Sequence, residues 1–338
     1  MKPRTELSPP PAEPTSAARP EASAPAVVVS NLGFDYPGRS VLDIAELSIP
    51  SGCIYAFLGP NGSGKTTLFS ILATLKQPSR GSVRVNGFDP ATQPADVRKS
   101  LGVAFQHPAV DKQLTCHENL VHHGRLYGLS SQTIRTRSEE MLAQFDLANR
   151  RNERAGTLSG GLLRRLELTK ALLHSPPVLL LDEPATGLDP AARFRLWEDL
   201  KRLQAATRVT IVLTTHLMDE ADRCDRLAIL HEGRVVREGP PEELKHSVGT
   251  EIIHIEANET ASLARDIRER FGITARPSMG TLRLERADAH RLVPELVEAF
   301  GNNIRSVRVS RPTLEDVFLK ATGSEFGEAS HPDEGDPS

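Results

Sequence analysis

The stretch GPNGSGKTT at residues 59–67 leaves this chain little freedom of fold. It separates a β-rich apolar run, CIYAFL (53–58), from a run with helical spacing, TLFSILATL (67–75). A buried strand must therefore enter a tight glycine loop and pass directly into the first turn of a helix, the corner of a βα unit. VVVSNLGF (27–34) also reads as a strand, and LGVAF (101–105), VLLL (178–181) and TIVLTT (210–215) are short, continuous apolar runs. Continuous rather than alternating runs suit strands covered on both faces, as in a parallel sheet flanked by helices. Residues 134–148 and 190–206 carry helical spacing, the latter opened by Asp189 and Pro190, an N-cap residue followed by proline at the first helical position. The segment 116–176 is helical in pattern and lies between two sheet strands, so it is expected to form a separate lobe.

The pattern changes after residue 247. EIIHIEA (251–257), TASLARDIRERFG (260–272), the pair ITARPSM and TLRLER about Gly280, ADAHRLVPELVEAFG (287–301) and NIRSVRVS (303–310) read in the order βαββαβ. That order predicts a small ferredoxin-like α+β module over 248–322, closed by the final helix 313–323. Residues 1–25 are rich in Pro, Ala, Ser and Glu and 323–338 are acidic. Neither stretch holds enough apolar surface to offset its ordering entropy, so both are expected to be disordered tails. A length of 338 residues suits two such units.

The glycines of 59–67 let backbone N–H groups close around phosphate oxygens, and the helix N-terminus adds partial positive charge. Gly59, Pro60, Asn61, Gly62, Ser63, Gly64, Lys65, Thr66 and Thr67 form the expected phosphate-binding set. Lys65 is placed to reach β and γ phosphates, and the Thr66 hydroxyl to ligate magnesium. The second signal is VLLLDEPATGLDP (178–190), an apolar strand ending in two adjacent carboxylates. Asp182 is expected to hold Mg2+ through water, and Glu183 to act as general base on the attacking water.

TLSGG (157–161) lies between these motifs, with GLDP (187–190) and TTH (214–216) beyond it. With GPNGSGKT and VLLLDEP they make residues 26–247 resemble the ATP-binding subunit of an ABC transporter. RPTLEDVFLKATG (311–323) and FQHPAVDKQLTCHENL (105–120) resemble a narrower group, the ATPases of drug-resistance and nodulation-factor exporters. The resemblance implies a P-loop NTPase sheet with a helical subdomain over about 116–176, and a C-terminal unit for regulation or dimerisation. It implies that Tyr36 stacks on adenine. It makes Gln106 a sensor of magnesium and attacking water that couples to the membrane partner. It puts His216 on the γ-phosphate, and Asp189 on a loop crossing between subunits. Ser159, Gly160 and Gly161 match the signature that caps ATP held by a second copy, so a head-to-tail homodimer is implied in the ATP state. Leu162 stands where the family usually has glutamine, and leucine can neither donate nor accept a hydrogen bond.

The resulting expectation is an ATPase, with ATP and Mg2+ as cofactors, that drives an exporter from the cytoplasmic face of the membrane, docked on a separate transmembrane permease. The other reading is a soluble ABC-type ATPase acting on ribosomes or DNA. A net charge of −3, from 41 Lys+Arg against 44 Asp+Glu, excludes a strongly basic nucleic-acid binder. No nucleic-acid partner is expected. No apolar run approaches the roughly 18 residues of a membrane span. The three cysteines, Cys53, Cys116 and Cys224, are too scattered for a disulfide framework or zinc site. Arg164 and Arg165, in LLRRLELTK (162–170), read as the solvated face of a helix.

Overall fold

The computed structural model describes residues 24–249, 251–278, 280–286, 289–323 and 326. The expected tails fall almost wholly outside the described residues. The chain opens with β1 (Val27–Tyr36), β2 (Arg39–Ile49), β3 (Ile54–Leu58), α1 (Lys65–Leu72) and β4 (Arg80–Val85). Then come α2 (Pro94–Ser100), β5 (Leu101–Ala104), α3 (Cys116–Leu126), α4 (Ser131–Gln144) and α5 (Gly160–Leu172). They are followed by β6 (Val178–Asp182), α6 (Pro190–Thr207), β7 (Thr210–Thr215), α7 (Met218–Ala221), β8 (Arg226–His231), β9 (Arg234–Gly239) and α8 (Pro241–His246).

The main sheet has the order β5-β6-β7-β3-β8-β9 and is parallel except for the β8–β9 pair. Every residue of β3, β6 and β7 is buried. Along β3, Ile54, Ala56 and Leu58 face one core together with the helical lobe, while Tyr55 and Phe57 face a second core with α1. Two apolar faces are what a continuous run such as IYAFL requires. The second core is closed by an antiparallel sheet of order β2-β1-β4. β2 and β4 alternate between buried and exposed positions over much of their length, and sequence analysis assigned neither.

In the parallel register, Asp182 lies beside Thr214, and Leu58 beside Thr215. The strands thus end along one edge of the sheet, which places Gly59, Asp182, Glu183 and His216 together. This carboxyl edge is where open α/β sheets bind ligands.

The remaining elements are β10 (Glu251–Ala257), α9 (Thr260–Phe271), β11 (Arg276–Ser278), β12 (Thr281–Arg286), α10 (Ala289–Phe300), β13 (Ile304–Ser310) and α11 (Leu314–Thr322). Their sheet, of order β11-β12-β10-β13, is antiparallel throughout, the split βαβ arrangement. Ile253, Ile255, Leu263, Ile267, Leu282, Leu284 and Leu296 make its core. One expectation is corrected here. The final helix does not close this core: Leu314, Val317 and Phe318 of α11 join the first core, beside Leu244, Val248 and Ile252. The amphipathic face of α11 matches either neighbour. Lys320 Nζ donates to the carbonyls of Ser247 (3.2 Å) and Val248 (2.9 Å), which fixes the choice.

Candidate active site

The loop between β3 and α1 is shaped by two glycines. A Cβ at Gly59 would lie 2.4 Å from the Leu230 carbonyl oxygen, and Gly64 adopts φ 101°, which side chains rarely tolerate. Lys65 Nζ folds back into the loop and donates to the carbonyls of Gly59 (2.8 Å) and Pro60 (3.0 Å). Burial lowers its pKa, opposed by the nearby Glu183 and Asp182 carboxylates. Ser63 Oγ is buried with no protein partner. A cavity of about 490 Å³ opens over the loop, lined by Lys65, Thr66 and Thr67 on one wall, Tyr36 on another, and Glu183. A loop of left-handed glycines, an inward ammonium, an orphaned buried hydroxyl and an exposed threonine hydroxyl fit a polyphosphate and a hard cation.

The carboxylates stand opposite. Asp182 is buried, and burial raises its pKa, while Thr214 Oγ1 donates to its Oδ1 at 2.5 Å. The same Thr214 oxygen accepts from the Glu183 N–H at 3.0 Å, so one hydroxyl sets the spacing of both acids. Sequence analysis singled Thr214 out only as the first letter of TTH. Glu183 has φ 42°, a left-handed conformation that costs about 1–3 kcal/mol in a residue with a side chain. The turn aims its carboxylate at two of the expected partners. Gln106 Nε2 donates to Glu183 Oε2 at 3.4 Å, and His216 Nδ1 lies 3.1 Å from Oε1, close but not aligned as a hydrogen bond. Thr186 Oγ1 also donates to Oε2, at 3.1 Å.

The reading of Arg164 and Arg165 as a solvated face is corrected. Arg164 is 3% exposed. Its guanidinium donates to the carbonyls of Pro184, Asp182 and Phe105 and pairs with the buried Glu167 carboxylate. It therefore grips the backbone on both sides of Glu183 and immediately before Gln106. Arg165 is also largely covered, paired with Asp199 at 2.9 Å and Asp146 at 3.1 Å. A basic run on a helix loses its solvated character when backbone carbonyls from other strands converge on it.

Tyr36 is 41% exposed at the cavity mouth, edge-on to Phe34 with ring centroids 5.0 Å apart, and Lys76 Nζ lies 4.9 Å from its ring centre. Hydrogen bonding from Lys76 and Thr67 holds its hydroxyl below the ordinary tyrosine pKa. Ser159, Gly160 and Gly161 are not brought to this cavity. Ser159 caps α5 without a side-chain hydrogen bond, and it lines a separate depression of about 230 Å³ together with Gly161 and Asp189. Asp189 caps α6, accepting from the Ala192 N–H at 2.9 Å, a bond worth about 1 kcal/mol. Leu162 is half-buried and packs against the first core.

The ABC transporter family description matches residues 42–186, and a second, for the C-terminal domain of DrrA1-3-like ATP-binding proteins, matches 239–322. The daunorubicin/doxorubicin resistance ATP-binding protein DrrA of Streptomyces peucetius is 37% identical, over 88% of this chain and 92% of its own length. The chain belongs to the ABC transporter ATP-binding family. Members of this family bind and hydrolyse ATP. The Nod factor export ATP-binding protein I of Rhizobium johnstonii is 36% identical, over 89% of this chain and 96% of its own. Among solved structures, cbiO1 of Clostridium perfringens, part of the ABC transporter complex cbiONQ, superposes with a TM-score of 0.63 at 25% identity. That match covers 74% of this chain and 97% of cbiO1. An ATP-binding subunit of another ABC transporter superposes with a TM-score of 0.58 at 28% identity, over 80% of this chain and 99% of its own. Among the described residues of this ABC ATPase, no helix is long and apolar enough to cross a membrane.

Proposed function

We propose that this ABC ATPase powers an exporter from the cytoplasmic face of a membrane, as a head-to-tail homodimer docked on a separate transmembrane subunit. The observation that carries the catalytic part is the convergence of Gln106 and His216 on Glu183, one residue beyond Asp182 and facing the phosphate loop. Lys65 and the loop amides hold the phosphates, and Tyr36 stacks on the base. Glu183 orients water and takes its proton, while Gln106 and His216 fix the carboxylate and meet the γ-phosphate. Thr66, Asp182 and Gln106 are the groups that would hold magnesium, which supplies charge neutralisation on the phosphate oxygens. Arg164 acts as a positioning residue: it holds the Phe105, Asp182 and Pro184 carbonyls and so sets where Gln106 and Glu183 stand.

Support for the dimer is the separation of two half-sites. Ser159, Gly161 and Asp189 share a depression that none of the phosphate loop lines, so the signature needs a second chain to reach a nucleotide. The glycines and the N-terminus of α5 suit phosphate by the same logic as the loop. The names of the relatives, for drug resistance and Nod factor export, support export. The unit built on β10–β13 suits regulation or dimerisation.

Glu183→Gln tests the reading. The change keeps shape and removes the base, so ATP stays bound and uncleaved. Gel filtration is expected to give a dimer in ATP and a monomer in ADP, with hydrolysis nearly abolished. Full hydrolysis would remove Glu183 as the base, and a monomer in saturating ATP would remove the sandwich.

A further inference from the structure

One rung of the C-terminal sheet is basic from edge to edge. Arg276 of β11 stands directly opposite Arg283 of β12, Arg283 opposite His254 of β10, and His254 opposite Arg308 of β13. The Arg276–Arg283 pair sets like charges directly opposite one another, which weakens a sheet, while burial lowers the His254 pKa. The rung faces away from the module's own core, which takes the alternate residues Leu282, Leu284, Ile253 and Ile255.

Arg283 is 4% exposed. Its Nη2 lies 3.2 Å from Glu285 and 3.3 Å from Asp316, but neither approach has hydrogen-bond geometry, and Nε has no acceptor either. Buried guanidinium donors left without acceptors are costly. Glu285 is moreover shared with Lys320, at 3.5 Å. Arg283 lines a polar cavity of about 260 Å³ at the sheet edge, with Arg276, Arg286 and Glu285 on its walls. Arg276 and Arg286 are exposed at its rim. Among the described residues, Arg276, Arg283 and Arg286 line this recess with Glu285, Asp316 also approaches Arg283, and the buried Arg283 fork stands in the wall.

We propose that this cavity binds a small multivalent oxyanion, of the phosphate or polycarboxylate class, through Arg276, Arg283 and Arg286. Guanidinium forks match such oxygens in pairs, and the buried member supplies donors that the protein leaves unmatched. The site is distinct from the phosphate loop. The ligand shares Arg283 with Asp316, whose other oxygen completes the capping box of α11. Occupancy therefore bears on the helix that is rooted in the ATP-binding core.

The test is isothermal titration of the full chain, saturated with Mg-ADP so that the phosphate loop is filled. Orthophosphate and citrate are titrated in separate arms at constant ionic strength. One anion per chain is expected in at least one arm, and the arm that binds names the class. The double variant Arg276→Ala/Arg286→Ala changes exposed side chains only, and its fold is checked by circular dichroism. It is expected to weaken binding at least about tenfold. Lys65→Ala, titrated without nucleotide because its phosphate loop is disabled, is expected to leave this binding in place. Absence of binding in both arms, equal affinity in the rim variant, or loss with Lys65→Ala alone would overturn the proposal.

Discussion

Arg164→Met is the perturbation that separates folding from catalysis. Arg164 and Glu167 are both almost fully buried, at 4% and 1% side-chain exposure. Removing one partner of a buried ion pair leaves the other charge uncompensated, at a cost of roughly 3–5 kcal/mol. Glu167 also accepts from the Ala109 N–H at 3.0 Å, so its oxygen is worth keeping. The double variant Arg164→Met/Glu167→Gln retains that acceptor and removes the stranded charge. It is expected to recover most of the lost stability, because neutral replacement of a buried pair is often near-neutral in free energy. Activity is expected to behave differently. In both variants the carbonyls of Phe105, Asp182 and Pro184 lose their common donor, so Glu183 and Gln106 are free to shift. A displacement of about 1 Å in a catalytic group costs about a hundredfold in rate. Thermal unfolding by circular dichroism and steady-state ATP hydrolysis are the assays. The expectation is a melting temperature restored in the double variant, kcat still about a hundredfold down, and KM for ATP little changed. A double variant that is both stable and fully active would refute Arg164 as the element that sets the site.

Other outcomes follow from the same geometry. Lys65→Ala is expected to abolish nucleotide binding, measured by fluorescence titration, because among the described residues lining the cavity it is the only lysine; near-normal hydrolysis would contradict this. Phe318→Ala is expected to cost about 3–5 kcal/mol and lower the melting temperature of the ATP-binding half, although residue 318 is far from it in sequence. Stability is expected to fall on acidification below about pH 6.5. Burial depresses His123 to about 3 and His174 to about 4, so the unfolded chain accepts protons that the folded state refuses. The loss is on the order of 1 kcal/mol per pH unit for each histidine below its unfolded pKa, and is absent above it. His123→Leu is expected to flatten that dependence in urea melts.

What was legible in the sequence was what depends on local pattern. β3, β6 and β7 are buried on both faces, so their residues had to be apolar without a break, and the phosphate loop needs glycines at fixed spacing. Asp182 and Glu183 were legible because they follow such a strand. β2 and β4 were not, since their exposed positions dilute the apolar signal that marks a strand. Thr214 could have been found from its place in TIVLTT, where a second polar residue closes an apolar run, but its double hydrogen bond exists only across the strand pair. Arg164 gave the opposite impression of its role because its acceptors are main-chain oxygens, which have no sequence signature. α11 was placed with the wrong partner for a related reason: an amphipathic face states that something covers it, not what.

The docking of α11 has a consequence for how the protein is made. A ribosome releases the chain from its N-terminus, and domains generally fold as units in that order. Here the core around Leu244, Val248 and Ile252 is completed by Leu314, Val317 and Phe318. The ATP-binding half therefore emerges in full and must wait, with an apolar strip uncovered, until α11 clears the exit tunnel. During that interval the strip is what a chaperone or another nascent copy would meet first. Premature termination after β13 yields a chain with every nucleotide motif and a permanently open seam.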